Sequence, residues 1–590
     1  MKNDNTGPAL SANSLYILKK RYLKRDRRGR VTETPADMFR RVASTVAHAE
    51  LKYGSGAEVK AWEDAFYEAM ARLAFLPNSP TLLNAGRLSG QMSSCFVLPV
   101  GNSAASLQTV IEEAALVHKS GGGTGFNLSR VRPQEEGSNP GSGPISFLAP
   151  LSSATAAVKQ GGIRMGCNIA TLDVHHPDIT AYIRTKNSRS ALPNFYLSVG
   201  VTSEFMEAVK KDRNYRLIDP ATGKTARTLR ARAVFDEIVE QTWKTGDPGL
   251  IFLDRIHDGN PVPALGEIEG VSGCGEQMLL GYESCNLGSI NLARMLDGRN
   301  PCQLDYVKLS ETVRLAIRFL DDVIDVNKYP LPRIEEATLQ TRKIGLGVMG
   351  FADMLARLGI PYGSRKAIGL AEEVMEFIND EAHLASEDLG AEKGVFPAFK
   401  GSVYEDAGRP MRNASCTTIA PTGTISLIAG CSNGIEPFFA LIYMRRIRGG
   451  KNLLEVNLEF IRTAEECGFY SEQLIRRLTN GENLAEIEDV PKYAKALFAT
   501  ASEIKATRHI GIQAAFQRHV DNAVSKTVNL PNGATPGEIA EIYLEAYELG
   551  LKGITIYRDG SRRKQPLEGH IDADMVAGYL RNAGANGSIT

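Results

Sequence analysis

Apolar residues recur every three or four positions over residues 103–119, where Leu107, Val110, Ile111, Ala114 and Val117 form one stripe ahead of the glycine run Gly121–Gly123. Residues 312–325 repeat that spacing with Val313, Ala316, Ile317, Leu320, Val323 and Ile324. Both stripes predict amphipathic helices that pack against a sheet. The first 75 residues also read as helical, with an amphipathic segment over 35–46. From Phe75 the texture changes: short apolar runs at 95–100 and 194–201 predict strands that alternate with longer helices, an α/β pattern. Without an internal repeat or a low-complexity linker, the expected division is a helical region over 1–75, one dominant domain over 76–565 and a polar, loosely ordered tail over 566–590.

Composition narrows the chemistry. The 68 basic and 68 acidic residues cancel, so no global field favours nucleic acid or a membrane surface, and a small substrate is expected. The basic cluster at 19–30 reads as a solvated face or linker. Eight scattered cysteines do not describe a secreted disulfide framework. No signal-peptide order and no membrane-length apolar run is present, so the expected location is the cytoplasm.

The stretch Val271–Gln277 places a thiol and a carboxylate, Cys274 and Glu276, two residues apart between glycines. On an extended tip both side chains face the same way, an arrangement suited to radical or acid–base chemistry. Cys285 follows closely and Cys95 lies far upstream. Pro421, Thr422, Gly423, Thr424 and Ile425 read as a turn opening a helix whose first amides suit either a phosphate or an ordinary cap, and residues 78–82 offer further hydroxyls. The other cysteines read as small buried apolar residues. His175 and His176, next to Pro177, read as a turn, and no metal site is expected.

Residues 75–86, 93–99, 119–126, 161–178, 246–252, 282–291, 421–426 and 525–531, in that order, resemble the adenosylcobalamin-dependent (class II) ribonucleotide reductases over roughly residues 15–565. The resemblance implies a ten-stranded α/β barrel with a finger loop through its centre. Cys274 matches the thiyl-radical cysteine that takes the 3′ hydrogen of the ribose. Glu276 matches the acid/base that relays the 3′-hydroxyl proton, and Cys95 and Cys285 match the dithiol that reduces the sugar. Such a pair requires Cα atoms within about 7 Å. Substrate contacts fall on Ser79, Ser94, Gly122, Gly123 and residues 421–425, and a deoxynucleotide effector loop on Arg164, Met165, Gly166 and Cys167. The resemblance also implies a ribonucleoside di- or triphosphate substrate, adenosylcobalamin held without a protein histidine, an external dithiol or thioredoxin-like reductant, and a homodimer. The single Tyr557 near the end sets the chain apart from relatives that receive their radical through a tyrosine pair.

The chain departs from this family at the tip, where Ser272-Gly273 replaces Asn-Pro before Cys274, and at Met278 and Gly281, where prolines are usual. Ser272 is therefore a candidate site residue with a shorter reach than asparagine. Cys167 replaces a usual alanine, and the last cysteine is Cys467, so a C-terminal electron-shuttling pair is not seen. Ordinary 2′-reduction is the first expectation. A radical diverted toward a rearranged or branched deoxysugar is the alternative, and a non-catalytic nucleotide sensor the third reading.

Overall fold

The computed structural model describes residues 8–134, 143–160, 164–187, 192–298, 300, 303–446, 451–561, 567–568, 571 and 573–585. Its centre is a ten-stranded sheet: β1 Phe75–Pro77, β2 Cys95–Val97, β3 Gly123–Asn127, β4 Asn168–Asp173, β5 Phe195–Val201, β6 Gly249–Phe252, β7 Ser284–Asn291, β8 Ile344–Met349, β9 Thr527–Leu530 and β10 Gly553–Arg558. Strands β2 to β6 lie parallel in sequence order. On one side β6 meets β10 antiparallel, and β10 is parallel to β9. On the other, β2 meets β7 antiparallel, and β7 is parallel to β8.

Residues 415–419 close the ring. Parallel bridges join Leu346 to Thr417 and Ile419 to Val524, and the Ile344 amide donates to the Ser415 carbonyl at 3.0 Å. The result is a barrel of two parallel halves set antiparallel to each other, with β1 capping the free edge of β7 beyond β2. Closure needs glycine at 347, because a Cβ there would lie 2.2 Å from the Thr418 carbonyl oxygen. Every position of β7 and β8 is buried, as expected for strands covered on both faces.

Helices clothe the barrel where the stripes predict them. The helix Ala104–Ser120 is capped by the Ser103 side chain and ends on Gly121 in the left-handed region. The second predicted helix runs over Tyr306–Val326, starting earlier than its stripe because Asp305 caps it and Leu309 adds an apolar turn. In the N-terminal region, Pro35–Ala47 carries a reciprocal capping box between Thr34 and Asp37, a motif worth about 1 kcal/mol. Within the expected tail, Leu567–Glu568 pairs with Met444 and Arg445, and Ala573–Ala585 is a helix with Val576 fully buried. Val576 joins the main core there, with Tyr579 and Leu580 packed against it. Among the described residues, no helix is long and apolar enough to cross a membrane.

Between β6 and β7 the chain enters the barrel as a hairpin, Gly270–Val271 against Met278–Leu279, whose tip is residues 272–277. A Cβ at Gly125 would sit 1.8 Å from the Val271 carbonyl oxygen, so glycine in β3 admits the hairpin. The Asn127 amide donates to the Glu269 carbonyl at 2.9 Å. From the opposite wall, the Ala523 amide and the Thr418 hydroxyl donate to the Glu276 carbonyl at 3.0 and 2.6 Å. The tip is thus held from both halves of the barrel.

Candidate active site

Two cavities meet at this tip. The smaller, about 260 Å³, is lined by Ser79, Ser94, Cys95, Gly123, Glu276 and the turn 421–425. The larger, about 1420 Å³, is walled by residues 432–445, 524–529 and 553–555 among others. Gly273 and Cys274 line both. The Cys274 thiol is open to these cavities yet enclosed by the protein.

Glu276 is 3% exposed. Its Oε1 accepts a hydrogen bond from the Cys95 thiol at 3.2 Å, whereas its Oε2 has no partner among the described residues. Burial raises the carboxyl above its usual range, against hydrogen bonds from Cys95 and Ser272 that lower it. A buried carboxylate oxygen without a partner costs free energy unless something in the cavity satisfies it.

Cys95 and Cys285 face each other directly across antiparallel β2 and β7. Such register places Cα atoms about 4.5–5.5 Å apart, inside the range a disulfide spans. Both are free thiols here. Burial raises both above the usual thiol range, helped at Cys95 by the Glu276 charge and at Cys285 by Glu283. Each therefore stays protonated at neutral pH. Glu283, next to this pair, forms a wholly buried ion pair with Lys343 at 2.7 Å.

Not every expected site residue reaches a cavity. Cys285 lies behind Cys95, with no exposed surface. Gly122 packs against Phe96 and Val117. Ser272 has no exposed surface and lines neither cavity; its hydroxyl accepts from the Gln277 amide at 3.3 Å, and it acts to lower the proton affinity of both Cys95 and Glu276. It braces the site from behind. Of the expected effector loop, Arg164–Met165 forms a short strand, Gly166 packs on Thr155 and His118, and Cys167 lines the smaller cavity. Residues 161–163 of the same matched stretch, and Cys302 among the cysteines read as structural, lie outside the described residues.

The turn at 421–425 is set by Thr422, whose φ of 51° is rare for a threonine. Its hydroxyl accepts from the Gly434 amide at 2.7 Å. The basic cluster at 19–30 is more than a solvated face: Arg21 and Tyr22 line the smaller cavity, and the Tyr22 hydroxyl bonds Ser79 Oγ at 2.8 Å. They sit on a single π-helical turn, Leu18–Tyr22, a feature that often marks functional sites. In the larger cavity, Lys526 pairs with Glu436 at 2.6 Å, and neither residue carries a local motif that singles it out. His383, Cys416 and Asp521 converge elsewhere, with His383 Nε2 on Asp521 Oδ1 at 2.8 Å and Asp521 Oδ2 accepting the Cys416 amide at 2.6 Å. This ion pair anchors the closing segment.

Comparison with known proteins agrees with the geometry. Residues 9–90 match the family described as "Ribonucleotide reductase, all-alpha domain" and residues 93–557 that described as "Ribonucleotide reductase, barrel domain". The chain is 45% identical to a vitamin B12-dependent ribonucleoside-diphosphate reductase of Thermoplasma acidophilum, over 95% of this chain and 80% of that protein. It is 47% identical to a protein of the same description from Mycobacterium tuberculosis, over 96% and 82%. Among solved structures, the Actinobacillus ureae class Id ribonucleotide reductase alpha subunit shares the fold with a TM-score of 0.76, at 24% identity over 94% of this chain and 99% of that one.

Proposed function

The chain belongs to the ribonucleotide reductase family, and on that footing we propose that it reduces ribonucleoside diphosphates to 2′-deoxyribonucleotides with adenosylcobalamin as radical source. The observation that carries this reading is the position of Cys274, whose thiol opens to both cavities at once. The smaller one, just under the ~300–1,000 Å³ of ordinary small-ligand sites, would take the sugar and phosphates of a nucleotide, with the phosphates against Thr422–Ile425 and Ser79 and the ribose at the tip.

The larger cavity exceeds the ~300–1,000 Å³ of ordinary small-ligand sites, which fits a corrin. Glu436, Tyr443, Arg445 and Lys526 line it and are the groups that would hold the cofactor. When bound, adenosylcobalamin would supply the carbon radical that takes the hydrogen of the Cys274 thiol.

The rest falls to side chains of this chain. The Cys274 thiyl takes the 3′ hydrogen while Glu276 Oε2 accepts the 3′-hydroxyl proton. The neighbouring radical lowers the barrier to loss of the 2′-hydroxyl, which leaves as water on protonation by the Cys95 thiol. Cys95 and Cys285 then supply two electrons and the hydrogen that reaches C2′ and become a disulfide, Glu276 returns the proton to the 3′ oxygen, and Cys274 returns its hydrogen to C3′. The sum is ribonucleotide plus dithiol giving deoxyribonucleotide, water and disulfide. An external dithiol or thioredoxin-like protein restores the pair. A deoxynucleotide effector, a homodimer and a cytoplasmic location complete the proposal.

One observation favours a second outcome. Because Ser272 points inward, the family's asparagine contact to the ribose has no counterpart at that position. Loss of a hydrogen bond worth about 0.5–1.5 kcal/mol changes the partition between radical fates by several-fold. Anaerobic incubation with adenosylcobalamin, dithiothreitol and each ribonucleoside diphosphate, followed by mass and NMR analysis of the sugar, tests both. Product lighter by one oxygen is expected. An isomeric or branched sugar would favour diverted chemistry, and untouched nucleotide would refute both in favour of a binding protein.

A further inference from the structure

Cys167 has no part in the reaction as drawn, yet its sulfur lies at the finger tip. Its carbonyl accepts from the Thr124 amide at 3.1 Å, which fixes it in the barrel wall at the foot of β4. Its Sγ approaches the Gly273 carbonyl at 3.8 Å. That carbonyl belongs to the residue bonded directly to Cys274, and the nearby Cys167 thiol helps raise the Cys274 thiol above the usual range. Both sulfurs line the smaller cavity, and Cys167 is half-buried there.

The opposing backbone is free to close the remaining gap. Cys274 lies between Gly273 and Gly275. A Cβ at Gly273 would meet its nearest neighbours, the Cys167 carbonyl and Sγ, only at ordinary contact distances of 3.6 and 3.8 Å, and Gly275 has nothing within 4 Å and a φ of 78°. A tip flanked by two glycines adjusts at little cost. The pair is separate from Cys95 and Cys285, which oppose each other on β2 and β7.

We propose that Cys167 and Cys274 form a reversible disulfide across the smaller cavity, a redox modification site that locks the radical cysteine while no nucleotide separates the two thiols. The oxidant is a low-molecular-weight disulfide. One thiolate attacks it to give a mixed disulfide and release one small thiol; the second thiolate then displaces the other, so two protein thiols become one disulfide and one small disulfide becomes two thiols. In the locked form Cys274 has no S–H to give up. The bridge also shields both sulfurs from stepwise over-oxidation. The nearby Cys167 thiol and burial hold the Cys274 thiol above the usual range, so locking is slow at neutral pH and accelerates as pH rises.

The bond is read by peptide mapping, independently of turnover, so its failure is distinguishable from failure of the reductase reading on which its regulatory meaning rests. The nucleotide-free full chain is treated anaerobically with oxidised glutathione, alkylated, digested and mapped by mass spectrometry. A Cys167–Cys274 cross-link that dithiothreitol reverses is expected, with loss of Cys274 alkylation. Cys167→Ser restores that alkylation, and Cys274→Ser leaves Cys167 open to alkylation, both with unchanged circular dichroism. Cys274 that stays alkylatable in the unaltered chain, or that is bridged to Cys95 or Cys285 instead, overturns the proposal.

Discussion

Cys274→Ser is expected to remove sugar chemistry by at least about 10⁴-fold, a loss of about 5 kcal/mol or more in transition-state stabilisation, while nucleotide affinity is retained. Serine keeps the shape of the tip, but an O–H bond is much stronger than an S–H bond, so a carbon radical gains nothing by taking its hydrogen. The turn at 421–425 that would bind phosphate draws its geometry from Thr422 and Gly434 rather than from Cys274. Equilibrium dialysis with a nucleoside diphosphate, run beside the turnover assay, checks both halves. Surviving turnover would remove this sulfur from the mechanism.

Glu276→Gln is expected to lower the rate by about 10²–10⁴-fold, the usual contribution of a positioned acid/base. The amide keeps the volume and can still accept from Cys95, but it cannot take a proton from the 3′-hydroxyl. The sign of the pH dependence follows from burial, which raises this carboxyl above its ordinary 4.5. The reaction needs the ionised form, so the rate falls as pH drops through that raised value, earlier than for an exposed carboxylate. The residual rate of the glutamine variant should lack this acid limb in a plot of kcat/KM against pH. A limb that persists there belongs to another group.

Local pattern carried much of the fold. The stripe from Leu107 to Val117 and its Ser103 cap are contiguous, so period and capping locate that helix to within a residue. The closing segment 415–419 escaped notice because it joins the barrel through isolated bridges rather than a long apolar strand. The tail helix was not legible because its apolar positions, Val576, Tyr579 and Leu580, join the core only through contacts with distant segments. At the site, the pairing of thiol and carboxylate between glycines was visible at 274 and 276, since both belong to one tip. Cys95 and Cys285 are paired only by the register of neighbouring strands β2 and β7, and their kinship was readable through family resemblance alone. The resemblance places Cys167 on an effector loop, and only the threading of the hairpin through the barrel brings the finger tip at Gly273 to it. The larger cavity draws its wall from distant segments, and no local spacing announces it.

Sugar analysis after turnover in deuterium oxide tests the central role of Cys274 most directly. The thiols of Cys95 and Cys285 exchange with solvent between turnovers, whereas the hydrogen taken by Cys274 is held only within one. The account predicts a deoxyribonucleotide with deuterium at C2′ and the original hydrogen at C3′. Deuterium delivered to C3′ with none at C2′, or a ribose that keeps its 2′-hydroxyl, would contradict it.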